Sequence, residues 1–239
     1  MVAGAGCTIM DSVSVSNGST AGLFGIDADE ACSIINTVIS HNKNDGLWAG
    51  HRSTVFGCTV ANNGDDGIII EFGGSTVAFC SSTQNGDDGI QITDSSTPYG
   101  IIRDSVFYNN TDDGIRARKG CFLEGNVVNV NDDGIIIYGA SLVLDNMANN
   151  NAKSGIVAIS PAQFSRIQGN LVISNNTIQS ATPAGIRAAN CPNVIVKNVL
   201  INNNVKNYSL GACLVSDRRA RPVTGESITS AETWADFSY

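Results

Sequence analysis

Apolar and polar residues alternate in short runs that recur along most of the chain, and each run begins at a glycine. Three residues after each of these glycines stands an alanine or an isoleucine. This period of two predicts short β-strands with one buried face, whereas the three-and-four spacing of a helix is not sustained anywhere. The residue directly after the glycine is apolar in eight successive units: Ile26, Leu47, Ile68, Ile90, Ile115, Ile135, Ile156 and Ile186.

The spacing of the glycines predicts a stack of repeats. From Gly25 to Gly185 they are 21, 21, 22, 25, 20, 21 and 30 residues apart. One such unit cannot bury its apolar face alone, but stacked units bury a continuous core. We therefore predict an all-β solenoid over residues 1–208 and a C-terminal cap or tail over residues 209–239. A second apolar column is expected twelve residues before each glycine, at Val13, Ile34, Val55, Val77, Ile102, Phe122 and Val143.

The turn before each strand repeats its own residues. An asparagine lies four residues before the glycine at Asn42, Asn63, Asn85, Asn110 and Asn151. Stacked asparagine amides can bond one another and tolerate left-handed backbone, and we expect the glycine itself to take a positive φ. The asparagine-rich turn and the Gly-Ile strand start resemble the right-handed parallel β-helix of the pectin-lyase-like superfamily. The resemblance covers roughly residues 5–208.

Composition and charge exclude several partners. The net charge is −8 and the pI is about 4.6, so no basic stripe exists to meet the phosphates of a nucleic acid. No apolar run is long enough to span a membrane. The repeat pattern already includes residue 7. We therefore expect the N-terminal end of the core to be covered by a missing N-terminal segment or by a partner chain, as in a homo-oligomer. The seven cysteines favour buried thiols, although Cys58 and Cys80 occupy one column in adjacent coils.

Side chains that point outwards from the Gly-Ile strands are the first candidates for function. Aromatic rings stack on sugar rings and guanidinium groups pair with sugar carboxylates. We expect substrate binding at Trp48, His51, Arg116, Arg118 and Lys119. Two acids in adjacent coils could be the pair that cleaves a glycoside, and a tyrosine could move a proton in lyase chemistry. These residues are Glu71, Asp94 and Tyr138; the competing interpretation is an ordinary solvated sheet.

A ladder of acids is the second candidate. It consists of Asp45, Asp66, Asp88, Asp113 and Asp133, each directly before a glycine. One interpretation is turn chemistry, in which each carboxylate accepts backbone N–H bonds. Another is a calcium site at Asp66, Asp88 and Asp113, because hard cations collect carboxylate oxygens. A third is catalysis by Asp66. No cofactor other than this possible calcium ion is required.

Two enzyme families share local motifs with the chain. Residues 24–30, Phe-Gly-Ile-Asp-Ala-Asp-Glu, resemble the Tyr-Gly-Phe-Asp-Pro-His-Glu stretch of mannuronan C5-epimerases. Gly25, Asp27 and Glu30 match, whereas Phe24 and Asp29 replace the tyrosine and the histidine. Residues 44–46 and 64–66 resemble the acidic motifs of polygalacturonases, while residues 86–88, Gly-Asp-Asp, stand where that family has Gly-His-Gly.

These patterns predict a protein that acts on an extended, acidic polysaccharide with the outer face of its first sheet. An enzyme of glycoside hydrolase, polysaccharide lyase or epimerase type is the leading hypothesis. A non-catalytic carbohydrate-binding or adhesin-like stack, or a structural component of a virion, is the alternative, since a fold does not determine a function. Either hypothesis predicts an extracellular or virion-associated location.

Overall fold

A computed structural model of the chain describes residues 1–17, 24–71, 73–93, 99–159, 165–175, 184–188, 193–203, 208–210 and 214–216. The described residues form a parallel β-solenoid, as the sequence predicts. Each coil contributes one strand to each of three sheets, and every strand pairs in parallel with the corresponding strands of the coils before and after it. No helix in this part of the chain is long and apolar enough to cross a membrane.

Almost every strand is three residues long. The first sheet contains Val2–Ala3, Ile26–Ala28, Leu47–Ala49, Ile68–Ile70, Ile90–Ile92, Ile115–Ala117, Ile135–Ile137, Ile156–Ala158, Ile186–Ala188 and Tyr208–Leu210. The second contains Thr8–Met10, Ser33–Ile35, Thr54–Phe56, Thr76–Ala78, Ile101–Arg103, Phe122–Glu124, Leu142–Leu144, Arg166–Gln168, Val194–Val196 and Leu214–Ser216. The third contains Val13–Val15, Val38–Ser40, Thr59–Ala61, Ser81–Thr83, Val106–Tyr108, Val127–Asn129, Met147–Asn149, Leu171–Ile173 and Val199–Ile201.

The apolar column that follows the glycines forms the core side of the first sheet. Ile68 pairs with Leu47 on one side and with Ile90 on the other, and all eight members of the column are fully buried. The predicted column is confirmed. Because side chains alternate between the two faces of a strand, a shift of one residue would turn every one of these side chains to solvent.

The second predicted column is correct except at two positions. The residue that pairs with Ile34 is Ile9 and not the predicted Val13. Val13 lies on the third sheet and is 67% exposed. Leu123 pairs with Ile102 and Val143 in place of Phe122. Both errors come from counting back from the glycine through a turn of unequal length. The turn from Asn17 to Gly25 is four residues longer than the usual one, and the turn from Asn131 to Gly134 is one residue shorter.

The predicted asparagine ladder is confirmed and runs through nine coils. The Asn63 side chain donates to Asn85 Oδ1 at 3.0 Å, and Asn85 donates in turn to Asn110 at 2.9 Å. The same oxygens also accept backbone N–H groups, as Asn85 Oδ1 does from Asn63. The left-handed conformation falls on the residue before each asparagine, as at Asn62 and Gln84. Each amide therefore satisfies the turn of the neighbouring coil.

The prediction that the glycines take positive φ is wrong. Gly46, Gly67 and Gly89 do not have left-handed backbone. They are glycines because neighbouring coils approach closely. A Cβ on Gly89 would lie 2.6 Å from the carbonyl oxygen of Gly114 and 2.7 Å from Asn110 Nδ2. The stacking distance of the coils thus leaves no space for a side chain at this position.

The described cysteines are free, as the sequence favours. Cys32, Cys58, Cys80 and Cys121 are buried, and Cys7 is half-buried. Strands of the first two sheets extend beyond residue 208, where the predicted repeat ended. Residues 217–239, which contain most of the predicted cap or tail, lie outside the described residues.

Candidate functional site

The middle residues of the first-sheet strands form an outward column. Asp27, Trp48, Ile69, Gln91 and Arg116 pair in consecutive coils, and each is partly exposed. The column continues through two buried residues to another arginine, as Ile136, Val157 and Arg187. Apart from Arg187, the polar and aromatic residues of this column therefore lie in the coils before residue 135.

The acid ladder lies along one edge of this face, just before the strands begin. Asp45, Asp66 and Asp88 each accept a backbone N–H of the next coil with Oδ1, at 2.8–2.9 Å. Asp133 accepts the N–H of Ser154 in the same way at 2.6 Å. The turn chemistry predicted for the ladder is therefore confirmed at these four acids, whereas Asp113 shows no such bond to any described residue. Calcium binding and catalysis remain predictions, because the second oxygen of each carboxylate is not used by the turn.

The acids of the ladder differ in their affinity for a proton. Burial and, after it, the neighbouring Asp88 carboxylate raise the pKa of Asp66 to about 8 and that of Asp113 to about 9. Burial also raises the pKa of Asp88, to about 6, but hydrogen bonds from the Asp113 N–H and from Gln91 oppose the effect. At neutral pH, Asp88 is thus a carboxylate between two protonated acids.

Gln91 and Arg116 connect the acids to the middle of the face. Gln91 Nε2 lies 3.2 Å from Asp66 Oδ2 and 3.2 Å from Asp88 Oδ2. Arg116 Nη1 lies 3.7 Å from Asp88 Oδ2 and 3.8 Å from Asp112 Oδ2. The sequence identified Arg116 but not Gln91 as a site residue. The sequence did contain a signal for Gln91: it stands two residues after Gly89, at an outward position of the strand that follows Asp88.

Arginines and a tyrosine occupy the opposite edge, where the strands end. The Tyr138 ring centre lies 4.8 Å from the Arg118 guanidinium carbon and 5.7 Å from that of Arg116. Such cation–π contacts fix the directions of all three side chains. Lys119 is exposed beside them. The structure therefore brings together Arg116, Arg118 and Tyr138 as the sequence predicts.

Glu71 lies on the same edge, two coils before Arg118, and is half-buried. The strand Ile68–Ile70 separates it from Asp66, so Glu71 and the acid ladder are on opposite edges of the face. Asp94, its predicted partner, lies outside the described residues. The distance between these two carboxyls, and hence the predicted hydrolytic pair, is untested.

An aromatic pair and an ion-pair cluster lie near the N-terminal end of the face. The Phe24 and Trp48 ring centres are 6.0 Å apart, at an angle of 32°. Just after the first-sheet strands of these two coils, the Glu30 carboxylate pairs with His51 and also with Arg52 Nη2, which is 2.8 Å away. Hydrogen bonds from Arg52 and His51 lower the pKa of Glu30. His51 is thus held by Glu30, one of the three residues that match the epimerase motif.

Two groups of acids could hold a cation. Asp66, Asp87 and Asp88 place one oxygen each within 4.8 Å of one another, and so do Asp88, Asp112 and Asp113. All the donors are carboxylate oxygens, which suit a hard cation such as Ca²⁺. The predicted metal residues Asp66, Asp88 and Asp113 all belong to these groups. A proton or the guanidinium of Arg116 can also compensate their charge.

Comparison with known proteins supports the fold. The family model of the right-handed β-helix region matches residues 2–151. The chain belongs to the right-handed β-helix family. No curated protein sequence matches it significantly. Among solved structures it is similar to the A-module of mannuronan C-5 epimerase AlgE4 from Azotobacter vinelandii, with a TM-score of 0.64 and 18% identity over 81% of this chain and 60% of that one.

Two further structures are similar, with lower TM-scores. The A-module of mannuronan C-5 epimerase AlgE6 from Azotobacter vinelandii has a TM-score of 0.55 and 17% identity, over 81% of this chain and 61% of that one. The periplasmic alginate epimerase AlgG has a TM-score of 0.54 and 16% identity, over 90% of this chain and 61% of that one. The chain thus spans about three fifths of the length of these proteins. At such identities the likeness is one of fold.

Proposed function

We propose that the outer face of the first sheet binds a uronate-containing polysaccharide and removes the proton next to the sugar carboxylate. The observation that supports this most is the position of Arg116, between the Asp88 carboxylate and the Tyr138 ring. A guanidinium group that can hold a sugar carboxylate thus has a base on one side and a phenol on the other. The three similar structures are alginate or mannuronan epimerases, which supports the same substrate class.

In this mechanism the positive charge of Arg116 and Arg118 binds the uronate carboxylate and stabilises the charge that develops on it when the neighbouring carbon loses its proton. Asp88 is the base, since its pKa of about 6 leaves it ionised at neutral pH, and the Gln91 side chain that donates to its buried Oδ2 must move aside for the sugar to reach it. Tyr138 donates the second proton and regains one from solvent. Transfer of that proton to the other face of the carbon gives an epimer, whereas its transfer to the glycosidic oxygen on the next carbon breaks the C–O bond and gives an unsaturated sugar.

The remaining residues of the face would position the polymer. Trp48 lies three coils from Arg116, or about 14 Å at the spacing of β-strands. A sugar chain that runs along the coils would place one ring on Trp48 and another carboxylate near Lys119. His51, which Glu30 holds, lies at the edge beside Trp48. A polymer of this kind is outside the cytoplasm, where the similar AlgG also works, being periplasmic.

Deuterium exchange tests the proposal directly. The protein is incubated in D₂O with polymannuronate, polyguluronate, polygalacturonate and a neutral glucan, and NMR measures deuterium at the carbon next to each carboxylate. The expected result is exchange into one uronate polymer and none into the glucan. Asp88→Asn and Arg116→Gln should each reduce the rate by about 10²-fold or more. Arg103→Gln is the matched control, since Arg103 is a partly exposed arginine of the second sheet that pairs with Asp104.

Other outcomes identify the competing hypotheses. New reducing ends without exchange, lost in Glu71→Gln and in Asp94→Asn but kept in Asp88→Asn, would establish hydrolysis by the other pair of acids. Unsaturated products would assign a lyase rather than an epimerase. Binding to a polymer without any reaction would support the non-catalytic alternative, and the same Arg116→Gln variant would then weaken binding only.

A further inference from the structure

The outer face of the third sheet has no charged side chain. The first and third residues of its nine strands point outwards, and of these eighteen positions twelve are apolar and six are Ser, Thr or Asn. The chain as a whole is 15% charged, so about three of eighteen positions would be charged at that average. By contrast, outward positions of the second sheet include Arg103, Glu124 and Arg166, and those of the first include Asp27 and Arg116.

The uncharged area continues around the edge of the sheet. One residue follows each third-sheet strand at the turn towards the first sheet. Within the described chain, none of these residues is Asp, Glu, Lys or Arg, and His41 is the only titratable one. Large apolar side chains remain accessible on this surface, with Val38 at 40%, Val106 at 40% and Tyr108 at 42% exposure. We call the outward residues of the third sheet and this row of turn residues the charge-free face.

We propose that the charge-free face binds a second copy of this chain, with the two third sheets packed against each other. The first reason is charge. Each chain carries −8, so two copies repel one another through most of their surface. Contact through the charge-free face puts no charged side chain at the centre of the interface. The nearest acids, such as Asp104 at one border and Asp132 at the other, lie at its rim, where they keep their water.

The second reason is shape. The face is a row of parallel ridges that repeat with the spacing of the strands, about 4.8 Å. Another solenoid of the same coil spacing provides ridges that match this period over many coils, and two aligned sheets pack about 10 Å apart. A two-fold contact of this kind uses the same patch on both copies. It also leaves the outer face of the first sheet open in each copy.

The size of the face agrees with a weak but specific contact. Nine strands at about 4.8 Å and a width of about four residues give roughly 550 Å² per copy. Two copies would bury roughly 1,100 Å², which is at the lower end of specific interfaces. Association should therefore depend on concentration in the micromolar range.

Sedimentation velocity of the full chain tests this. We expect the mass to rise from one chain to two as concentration increases. The double variant Val106→Lys/Met147→Lys places charges in the centre of the face and should remain a monomer. Ile101→Lys/Leu142→Lys is the matched control in the same two coils but on the second sheet, with exposures of 38% and 40% against 40% and 37%. The control should dimerise like the wild type.

Salt provides a test that needs no variant. Added salt screens the repulsion between the two negative chains, so the fraction of dimer should stay constant or rise. A fall would mean that opposite charges hold the copies together, which would overturn the proposal. A wild type that is a monomer at every concentration would overturn it too, as would a face variant that dimerises normally. Circular dichroism confirms that each variant retains its β-structure, and a failure of both doubles to fold would leave the salt series to decide.

Discussion

The Asp113 carboxyl is a source of instability that a single substitution removes. It is buried, and among the described residues its oxygens accept no backbone N–H of the next coil, in contrast to those of Asp66 and Asp88. The turn from Asn131 to Gly134 is one residue shorter than the others, so the next coil does not present the usual donor. Asp113→Asn replaces the carboxyl with a neutral amide of almost the same shape. We expect this variant to be more stable than the wild type at neutral pH.

The size of the effect follows from the two pKa values. An unfolded aspartate titrates near 3.9, whereas Asp113 in the fold titrates at about 9. Folding at pH 7 must therefore take up one proton, which costs at most about 4 kcal/mol. The cost is absent below about pH 4, where both states are protonated, and it grows as pH rises towards 9. The stability of the wild type should thus fall with pH over this window, and the fall should be smaller in Asp113→Asn.

Thermal and urea unfolding at pH 5, 7 and 9 measure this difference. For a chain of this length, 1 kcal/mol corresponds to about 2–4 °C in Tm, so Asp113→Asn should melt up to about 10 °C higher at pH 7. The gap between variant and wild type should widen with pH. Asp104→Asn is the control, because that carboxylate is exposed in a turn between the second and third sheets and pairs with Arg103. A gap that does not change between pH 5 and pH 9 would refute the reasoning.

Three further results are expected. Ile90→Asp should abolish folding because it puts a charge into the fully buried column, and a normal cooperative melt would contradict this. Gly89→Ala should lower the free energy of unfolding by about 1–3 kcal/mol, because its Cβ would meet the Gly114 carbonyl. Gly4→Ala, where a Cβ meets open space, should melt like the wild type, and equal melting of both variants would disprove the packing argument. Calcium or a chelator should leave Tm unchanged, since turn bonds already engage the acid ladder; a calcium-dependent rise of several degrees would overturn that expectation.

The sequence predicted the core because the core depends on period alone. Eight glycines set the start of the first-sheet strands, and the alternation of side chains then decides which residues are buried. The same count failed at Val13 and Phe122 because it crossed a turn of variable length. Strand positions are therefore predictable from the nearest fixed residue, and errors enter wherever a turn gains or loses a residue.

The candidate site was only partly predictable. The outward positions of Arg116 and Tyr138 follow from alternation, but their contact depends on side-chain directions that no repeat specifies. Gln91 was missed because a glutamine has no charge or ring to attract notice. The role of the glycines was misjudged for a related reason: a glycine can serve a positive φ or a close approach between coils, and the sequence alone does not distinguish the two.

If the same turn were repeated in every coil, the aspartates of the acid ladder would all have the same pKa. Yet Asp66, Asp88 and Asp113 differ in pKa by up to about three units. Asp66 and Asp88 have similar main-chain surroundings, so the difference between them comes from residues that the rule leaves free. Asp113, in addition, lacks within the described chain the backbone N–H bond that the other two accept. Donors from Gln91 and the charge of Arg116 keep Asp88 ionised, whereas burial and the Asp88 charge keep its neighbours protonated. Adjacent carboxyls with separated pKa values are what acid–base catalysis requires. The sequence variation that matters for function therefore lies in the middle of the strands, beside a turn whose own residues hardly vary.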